Sequence, residues 1–278
     1  MYSFTYHRPT TVRQAASLLA KTEDAKLLAG GHSLIPVMKL RLARPSALID
    51  LSGVEGLSGV EVSGRTVTIG AMTRHGEVAD SAELQEAMPA LASVPASIGD
   101  PQVRNVGTIG GSIANNDPNA DYPAACLGLG ATIITSKRKI AADDFFTGMF
   151  ETALEPDEII TKVQFPIVQK AAYQKFKHPA SGFALVGVFA AKRGSDIRVA
   201  VTGAGANGVF RVTAFEEALK QRFVAKSLEG LTVPPDGMSS DIHASAEYRA
   251  HLIGVMARRA VAAATARSPQ EGDAADDV

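Results

Sequence analysis

Hydrophobic positions with the period of a helix alternate with short runs typical of strands along the first part of the chain. Thr11 is placed to cap a helix with one apolar face, and the run 26–29 after it has the length of a buried strand. A second strand is predicted over 47–51, and beyond it 60–62 and 67–69 flank a Ser-Gly turn as a β-hairpin. The pattern therefore predicts a small unit of helix and strands, followed by a hairpin that opens a second unit.

The middle of the chain predicts short helices around a long segment without clear periodicity. Thr73 is placed to cap one helix, 82–88 and 122–129 predict two more, and 132–135 predicts a strand. The segment 98–121 has little periodicity and is dense in Gly, Asn and Asp. A structureless segment of this length inside a compact domain is uncommon unless it binds something. We therefore expect a binding function in this segment.

The last part of the chain predicts an antiparallel sheet followed by helices. A strand at 159–165 closes the middle region. The predicted strands of the last part are 173–177, 183–191 and 197–202, and its predicted helices are 214–222 and 248–264. Strands that follow one another through short turns and precede helices indicate an α+β fold, here with an antiparallel C-terminal sheet.

Changes of pattern divide the chain into four parts. We expect an N-terminal subdomain at 1–55, a second subdomain at 56–168 and a C-terminal α+β domain at 169–267. The end, 268–278, is rich in Asp, Glu, Ala and Gly and has one large apolar residue, so we expect it to be disordered.

Charge and hydropathy narrow the class of protein. The formal net charge is -1 and the pI is about 6.6, which argues against the basic surface that nucleic acid requires. No run approaches the roughly 18 apolar residues of a membrane span. The start, Met1 to Pro9, has no basic region followed by an apolar one. We expect a cytoplasmic protein without nucleic-acid partners.

The metal-ligating residues are too few for a metal centre in this chain. The single cysteine, Cys126, excludes an intrachain disulfide and a self-contained iron–sulfur cluster, which commonly needs four thiolates. Its apolar surroundings predict an inert core thiol. The six histidines are scattered without ligand-like pairing. We therefore expect no metal site and no catalytic side chain, but an organic cofactor.

The first loop with a binding pattern is Ala29-Gly30-Gly31-His32-Ser33, directly after a predicted strand. Two adjacent glycines allow positive φ and close approach of the backbone to a ligand, so successive N–H groups can converge on a phosphate. Ser33 offers a hydroxyl and a possible cap, and His32 a further hydrogen bond. The same pattern is also compatible with a plain tight turn.

The second loop runs from Asn105 through Val106-Gly107-Thr108-Ile109-Gly110-Gly111-Ser112, with Asp121 about ten residues further on. Thr108 and Ser112 are hydroxyl donors beside two glycines, and a carboxylate that accepts from ribose hydroxyls is a device of dinucleotide sites. The two loops together suit two phosphates and a ribose. Asp121 could instead cap the helix that follows it.

Two other nucleotide-binding patterns are absent or unconvincing. Neither loop contains the lysine of the G-x-x-x-x-G-K-[ST] motif, so a nucleotide triphosphatase is not supported. A third cluster, Gly203-Ala204-Gly205-Ala206-Asn207-Gly208, imitates a G-x-G fingerprint, but no helix is predicted directly after it. We interpret this cluster as a turn that leaves a strand.

The order and spacing of the two loops resemble the flavin subunits of the carbon monoxide dehydrogenase and xanthine dehydrogenase group of molybdenum hydroxylases. The likeness extends over nearly the whole chain, to about Ala266. Its segments are Leu28 to Pro36, Met38 to Ala43, Arg104 to Ser112, Asp117-Pro118 through Asp121, Glu158 to Ile160, Phe176-Lys177-His178 and Glu247 to Leu252. It implies a two-part FAD-binding domain of the vanillyl-alcohol-oxidase/PCMH type, followed by the C-terminal α+β domain.

The resemblance assigns cofactor contacts to residues of both loops and beyond. The loop residues that it implies for the FAD pyrophosphate are Leu28, Ala29, Gly30, Gly31, His32, Ser33, Thr108, Ile109, Gly110, Gly111 and Ser112. It places Asp121 on the adenosine side, Ile160 against the cofactor and Lys177 near the flavin ring. Relatives often have Gly-Asp and an aromatic residue after that lysine, whereas this chain has Ser181-Gly182-Phe183. Phe183 is either the residue next to the isoalloxazine or a core position of the following strand.

The function that the resemblance implies is electron transfer. Substrate is hydroxylated at a molybdenum cofactor on a large subunit, and electrons cross two [2Fe–2S] clusters on a small subunit to a noncovalent FAD here, then leave to an external acceptor. A dimer of heterotrimers is implied, with substrates from carbon monoxide to N-heterocycles. The rival is a free-standing FAD-dependent oxidoreductase of the same fold. A cofactor-free scaffold would leave both loops unexplained.

Overall fold

A computed structural model describes residues 1–266, and its first region is a three-stranded parallel sheet with two helices. The central strand is the most hydrophobic of the three, and its neighbours pair with it in parallel. Thr11 caps the first helix by accepting from the amide of Gln14, as predicted. The elements are β1 (Thr5–His7), α1 (Val12–Lys21), β2 (Lys26–Leu28), α2 (Leu34–Lys39) and β3 (Ala47–Asp50), in the sheet order β1-β3-β2.

The second region surrounds a five-stranded antiparallel sheet with short helices. Its sheet order is β4-β5-β10-β6-β7, and a small hairpin pairs β8 with β9. The elements are β4 (Val60–Ser63), β5 (Thr66–Gly70), α3 (His75–Asp80), α4 (Ala82–Ala87), α5 (Pro89–Ala96), α6 (Pro101–Val106), α7 (Ile109–Asn115), α8 (Tyr122–Leu129), β6 (Thr132–Thr135), β7 (Lys139–Ala141), α9 (Ala142–Phe145), β8 (Phe146–Gly148), β9 (Glu151–Thr152) and β10 (Ile160–Pro166).

Two expectations for the second region are wrong. The segment 98–121 is not structureless, because α6 and α7 occupy most of it; Asp100 caps the first through the amide of Val103 and Thr108 caps the second. Thr73 does not cap a helix. Its buried hydroxyl donates to the carbonyl of Gly70 at 2.7 Å and accepts from the amide of Gly59 at 2.9 Å, and α3 begins after Arg74 instead.

The third region is a four-stranded antiparallel meander covered by two helices. Strands and helices follow the hydrophobic pattern to within a few residues, and α11 is a long helix capped by Ser245. The elements are β11 (Lys170–Lys177), β12 (Ala184–Arg193), β13 (Asp196–Thr202), β14 (Phe210–Arg211), α10 (Thr213–Gln221) and α11 (Ala246–Thr265), in the sheet order β11-β12-β13-β14. The α+β class is thus confirmed.

The third glycine cluster is a turn, as interpreted from the sequence. It connects β13 to β14, and Gly203 and Gly208 have φ of 82° and 96°, which favour glycine. A strand follows it and not a helix. Arg249 of α11 is buried beneath the turn and donates to the carbonyl of Gly203 at 2.7 Å.

The second and third regions share part of one core. Phe189 of β12 is fully buried, and a Cβ built on Gly128 of α8 would lie 2.6 Å from its ring. Cys126 of α8 is fully buried, and burial raises the pKa of its thiol, in agreement with an inert core role. In the described part of the chain no helix is long and apolar enough to cross a membrane. The tail predicted at 268–278, and residue 267, lie outside the described residues.

Candidate cofactor-binding site

The two glycine loops predicted from the sequence lie in contact. A Cβ built on Gly30 would come within 2.3 Å of the carbonyl oxygen of Val106 and 2.9 Å of Cα of Gly107. A Cβ built on Gly111 would lie 3.6 Å from Cβ of Ala29. Side chains at these positions would therefore separate the loops. The fold brings two segments from different regions together to form one site.

The first loop presents backbone donors without protein partners. Gly31 has φ of 72°, whereas Gly30 does not need the left-handed region and is required for close approach to the second loop. Gly31 accepts from the amide of Ile35 at 2.9 Å, so a helical turn begins there. Within residues 1–266 no acceptor meets the amides of Gly31, His32 and Ser33. Three consecutive free N–H groups suit an anionic ligand such as a pyrophosphate.

The second loop differs from the first, because the amides of Ile109, Gly110 and Gly111 are already bonded to protein. Thr108 is buried, and its Oγ1 accepts from the amide of Gly111 at 3.2 Å. The amide of Gly110 donates to Ala71 at 2.8 Å, and that of Ile109 donates to Thr73 at 3.2 Å. This loop therefore contributes shape and hydroxyl groups more than free amides. Its glycines, Gly110 and Gly111, lie in the first turn of α7 and not in left-handed conformations.

Asp121 lies in a buried ion pair. Its Oδ2 accepts from Nζ of Lys175 at 2.9 Å, and its Oδ1 accepts from the hydroxyl of Tyr173 at 2.5 Å. Both charged side chains are almost fully buried, and Lys175 also donates to the carbonyl of Ser97 at 3.1 Å. Burial raises the pKa of Asp121, and the adjacent Lys175 opposes this effect. Asp121 occupies the N-cap position of α8, but its side chain makes no capping hydrogen bond, so helix capping does not account for this carboxylate.

Ile160 belongs to the wall behind the second loop. Its side chain is buried in the core of the second region, at the start of a β-bulge in β10. The carbonyl of the next residue, Thr161, accepts from the amide of Ala71 at 2.9 Å, and Ala71 in turn accepts from Gly110. Backbone hydrogen bonds thus connect the Ile160 bulge to the first turn of α7.

Glu158, two residues before Ile160, anchors the same strand. Burial alone would raise the pKa of Glu158, but hydrogen bonds from Arg138, Thr135 and the amide of Glu155 outweigh it and lower the pKa to about 2. The two Arg138 bonds are each 3.0 Å long and form a bidentate pair. This charged network fixes the start of β10 against β6.

Lys177 and Phe183 stand at the open end of the third sheet. Lys177 is the exposed last residue of β11, and Phe183 is 53% exposed, so its alternative assignment to the core is wrong. The intervening loop is closed by a bond from the amide of His178 to the carbonyl of Phe183 at 2.8 Å. A Cβ on Gly182 would lie 3.7 Å from Cα of Gly99, so this loop packs against the connection that precedes α6.

His75 is a residue at the site that the sequence did not reveal. A Cβ on Gly107 would lie 2.6 Å from His75 Nε2, and the His75 amide donates to the carbonyl of Gly107 at 2.9 Å. Burial, and next the nearby His32, lower the pKa of His75 to about 4. Its ring lies 5.4 Å from that of Tyr122, and neither His75 Nδ1 nor the Tyr122 hydroxyl has a partner among the described residues. A lone histidine at the start of a short helix carries no pattern that predicts this position.

Comparison with known proteins identifies the family. Residues 2–168 match the model of the FAD binding domain in molybdopterin dehydrogenase. The chain belongs to this family. The match contains both glycine loops and their contact. This member of the family is accordingly an FAD-binding protein of the oxidoreductase class. The free amides of its first loop suit the phosphate groups of that cofactor.

Full-length relatives of this family member are subunits of dehydrogenases and hydroxylases. The carbon monoxide dehydrogenase medium chain of Hydrogenophaga pseudoflava is 36% identical over 280 residues, with 95% of this chain and 98% of the relative covered. The nicotine 6-hydroxylase medium subunit of Paenarthrobacter nicotinovorans is 37% identical over 279 residues, with the same coverage of 95% and 98%. A reconstituted carbon monoxide dehydrogenase from Oligotropha carboxidovorans superposes with a TM-score of 0.85 at 36% identity, with 96% of this chain and 99% of that chain covered.

Proposed function

We propose that this chain is the electron-transfer flavoprotein subunit of a heterotrimeric molybdenum hydroxylase and binds one FAD noncovalently. The observation that carries the proposal is the contact between two glycine loops beside three free amides. We propose that the cofactor contacts come from the first loop, the second loop and the residues around them, namely Leu28, Ala29, Gly30, Gly31, His32, Ser33, Thr108, Ile109, Gly110, Gly111, Ser112, Asp121, Ile160, Lys177 and Phe183.

In this proposal the first loop holds the pyrophosphate. The amides of Gly31, His32 and Ser33 donate to phosphate oxygens, and Gly30 keeps the two loops close enough for one anion to meet both. Ser112 is half-buried and adds a hydroxyl from the second loop. Attraction to the phosphates is supplied mostly by backbone dipoles.

The remaining residues orient the two ends of the cofactor. Asp121 acts on the adenosine side with the lone pairs that its bonds to Tyr173 and Lys175 leave open. The exposed Lys177 places a positive charge at the flavin end, and Phe183 offers an aromatic face to the ring. FAD, when bound, accepts and releases electrons; the protein supplies binding, orientation and electrostatics.

We propose that partner subunits deliver the electrons. A chain with the single cysteine Cys126 cannot hold an iron–sulfur relay. The proposed partners are therefore a small subunit with two [2Fe–2S] clusters and a large subunit with the molybdenum cofactor, arranged as a dimer of heterotrimers in the cytoplasm. An external acceptor such as a quinone, oxygen or NAD takes the electrons from the flavin.

The proposed domains correspond to the three larger sheets. We propose domain boundaries near residues 55 and 168, so that the cofactor lies between the subdomains 1–55 and 56–168, and the C-terminal domain 169–267 adds the lysine and aromatic residue of the flavin end.

The experiment that tests this proposal is purification of the chain from its own cells, alone and with its partners. We expect a bound-flavin absorbance spectrum, complete release of the colour on acid precipitation, and co-purification with an iron–sulfur and a molybdenum subunit. Colour that stays with the denatured pellet would disprove noncovalent binding. A flavoprotein that purifies without partners and oxidises its own substrate would favour a free-standing oxidoreductase.

A further inference from the structure

The end of α2 is closed by an arginine in a conformation that favours glycine. Arg41 has φ of 61°. The amide of Leu42 donates to the carbonyl of Val37 at 3.0 Å and that of Arg41 donates to Met38 at 3.0 Å, which is the hydrogen-bond pattern of a Schellman cap. Glycine is usual at this left-handed position because a Cβ is unfavourable there. The chain retains a strained residue where a glycine would serve the fold better.

Two leucines beside this arginine point into solvent. Leu40 is 70% exposed and Leu42 is 75% exposed. In a Schellman cap the residue at the position of Leu42 commonly packs back onto the helix, but here it does not. Single exposed apolar residues are ordinary, whereas two leucines together on a turn held by a strained residue are not explained by the fold.

The same turn carries a concentration of positive charge. Lys39, Arg41 and Arg44 are all exposed, and the segment 37–46 contains no acidic residue. In the described part of the chain none of these three cations forms an ion pair. Arg41 and Arg44 instead lie over the ring of Tyr2, at 5.7 and 5.0 Å from its centroid. This contact holds the guanidinium groups in place without neutralising them.

We propose that the 39–44 turn is a docking surface for a partner subunit whose own surface presents carboxylates around an apolar depression. The charge of the turn is complementary to acidic groups, and the two leucines supply the apolar anchors that fill a pocket. The strain at Arg41 is retained because the guanidinium is needed for docking, although the fold would prefer glycine.

The position of the turn adds a connection to the cofactor. Helix α2 runs from Leu34, directly after the first glycine loop, to Lys39, where the docking surface begins. A partner that fixes the end of this short helix also restrains the loop at its start. This inference rests on the proposed function, because the partner is one of the subunits proposed above.

The test uses the full FAD-loaded chain and the purified partner subunits. Arg41→Gly is the decisive variant, because it keeps the cap and relieves the strain but removes the charge. We expect it to raise the unfolding temperature while weakening assembly with a partner subunit about tenfold. Leu42→Glu should weaken assembly by at least about tenfold as well. The matched control is Ile242→Glu, a change at a side chain that is 95% exposed elsewhere on the chain, which should assemble normally.

Each outcome has a distinct meaning. Weakened assembly of Arg41→Gly with full flavin content and higher stability supports the docking surface, as does assembly that weakens with added salt in the natural chain and less so in the variant. Normal assembly of both variants overturns it. Loss of binding to phosphatidylcholine vesicles containing phosphatidylglycerol, with subunit assembly unchanged, overturns it in favour of a lipid surface. A natural chain that assembles with no partner would refute the proposed function itself.

Discussion

Gly30 lies against the carbonyl oxygen of Val106, and a Cβ atom on Gly30 would approach that oxygen to 2.3 Å. This contact joins the two halves of the cofactor site. We predict that Gly30→Val separates the loops and weakens FAD binding about tenfold to a hundredfold, because an overpacked contact costs roughly 1–3 kcal/mol. Equilibrium dialysis of FAD against the purified variant measures the change.

A second glycine and a control complete this prediction. Gly111→Val should also lose flavin, since its Cβ would lie 3.0 Å from Thr108 Oγ1 and 3.6 Å from Ala29 Cβ. Gly254→Ala in α11, where the nearest atom is the end of the Arg258 side chain at 3.5 Å, should keep full flavin. Full flavin occupancy in the two valine variants would show that the loop contact does not hold the pyrophosphate.

The buried pair of Asp121 and Lys175 makes a strong prediction about stability. Asp121→Asn leaves the Lys175 ammonium buried without its counterion, which should lower the free energy of unfolding by about 3–5 kcal/mol. Urea unfolding followed by circular dichroism measures this. Lys137→Met, in an exposed ion pair with Glu155, should have little effect, since such pairs contribute little. Equal effects of both changes would contradict the assignment of Asp121 to a buried network.

The buried His75 should make the stability of the folded chain sensitive to acid. Its pKa is lowered from 6.5 to about 4 in the folded chain, so the unfolded chain takes up a proton first as the pH falls. Stability should therefore decrease between pH 6.5 and about 4, by on the order of 3 kcal/mol at most. His75→Gln should remove this part of the pH dependence, whereas His251→Gln at an exposed position should not. An unchanged pH profile in His75→Gln would disprove the buried neutral histidine.

We predict that the charge of Lys177 affects the midpoint potential of the bound flavin. A positive charge near the ring favours the reduced, more negative flavin, so Lys177→Met should shift the midpoint potential downward by roughly 30–60 mV. Spectroelectrochemical titration of the FAD-loaded chain gives this value. Lys139→Met changes another exposed lysine, on β7, and should leave the potential unchanged. Equal midpoint potentials in Lys177→Met and the natural chain would show that Lys177 does not lie near the flavin ring.

Elements with a strong local pattern were predictable from the sequence. The alternation in 197–202 and the helical period in 248–264 each correspond to an element of the structure within about two residues. The two glycine loops were also recognisable, because each contains a pair of adjacent glycines, which is a local signal in the sequence. The resemblance to flavin subunits suggested a common role for them in FAD binding, and the family match confirms that the chain belongs to an FAD-binding family.

Elements stabilised by distant contacts were not predictable. Helices α6 and α7 have six and seven residues, and two glycines in the first turn of α7 lower its helix propensity. Their stability comes from caps and from bonds to Ala71 and Thr73, which no local period reveals. The partners of Asp121 are 52 and 54 residues away, so no local pattern around Asp121 indicates that it pairs with a buried lysine.

The proposed function of this chain is to pass on electrons that a partner subunit supplies. Its most direct test is anaerobic mixing of the FAD-loaded chain with the organic substrate of the complex, followed by flavin absorbance, first alone and then with both partner subunits. We predict no bleaching by the chain alone and rapid bleaching once the iron–sulfur and molybdenum subunits are added. Bleaching of the isolated chain at the turnover rate of the complex would contradict the electron-relay function and indicate an oxidoreductase that acts on substrate itself.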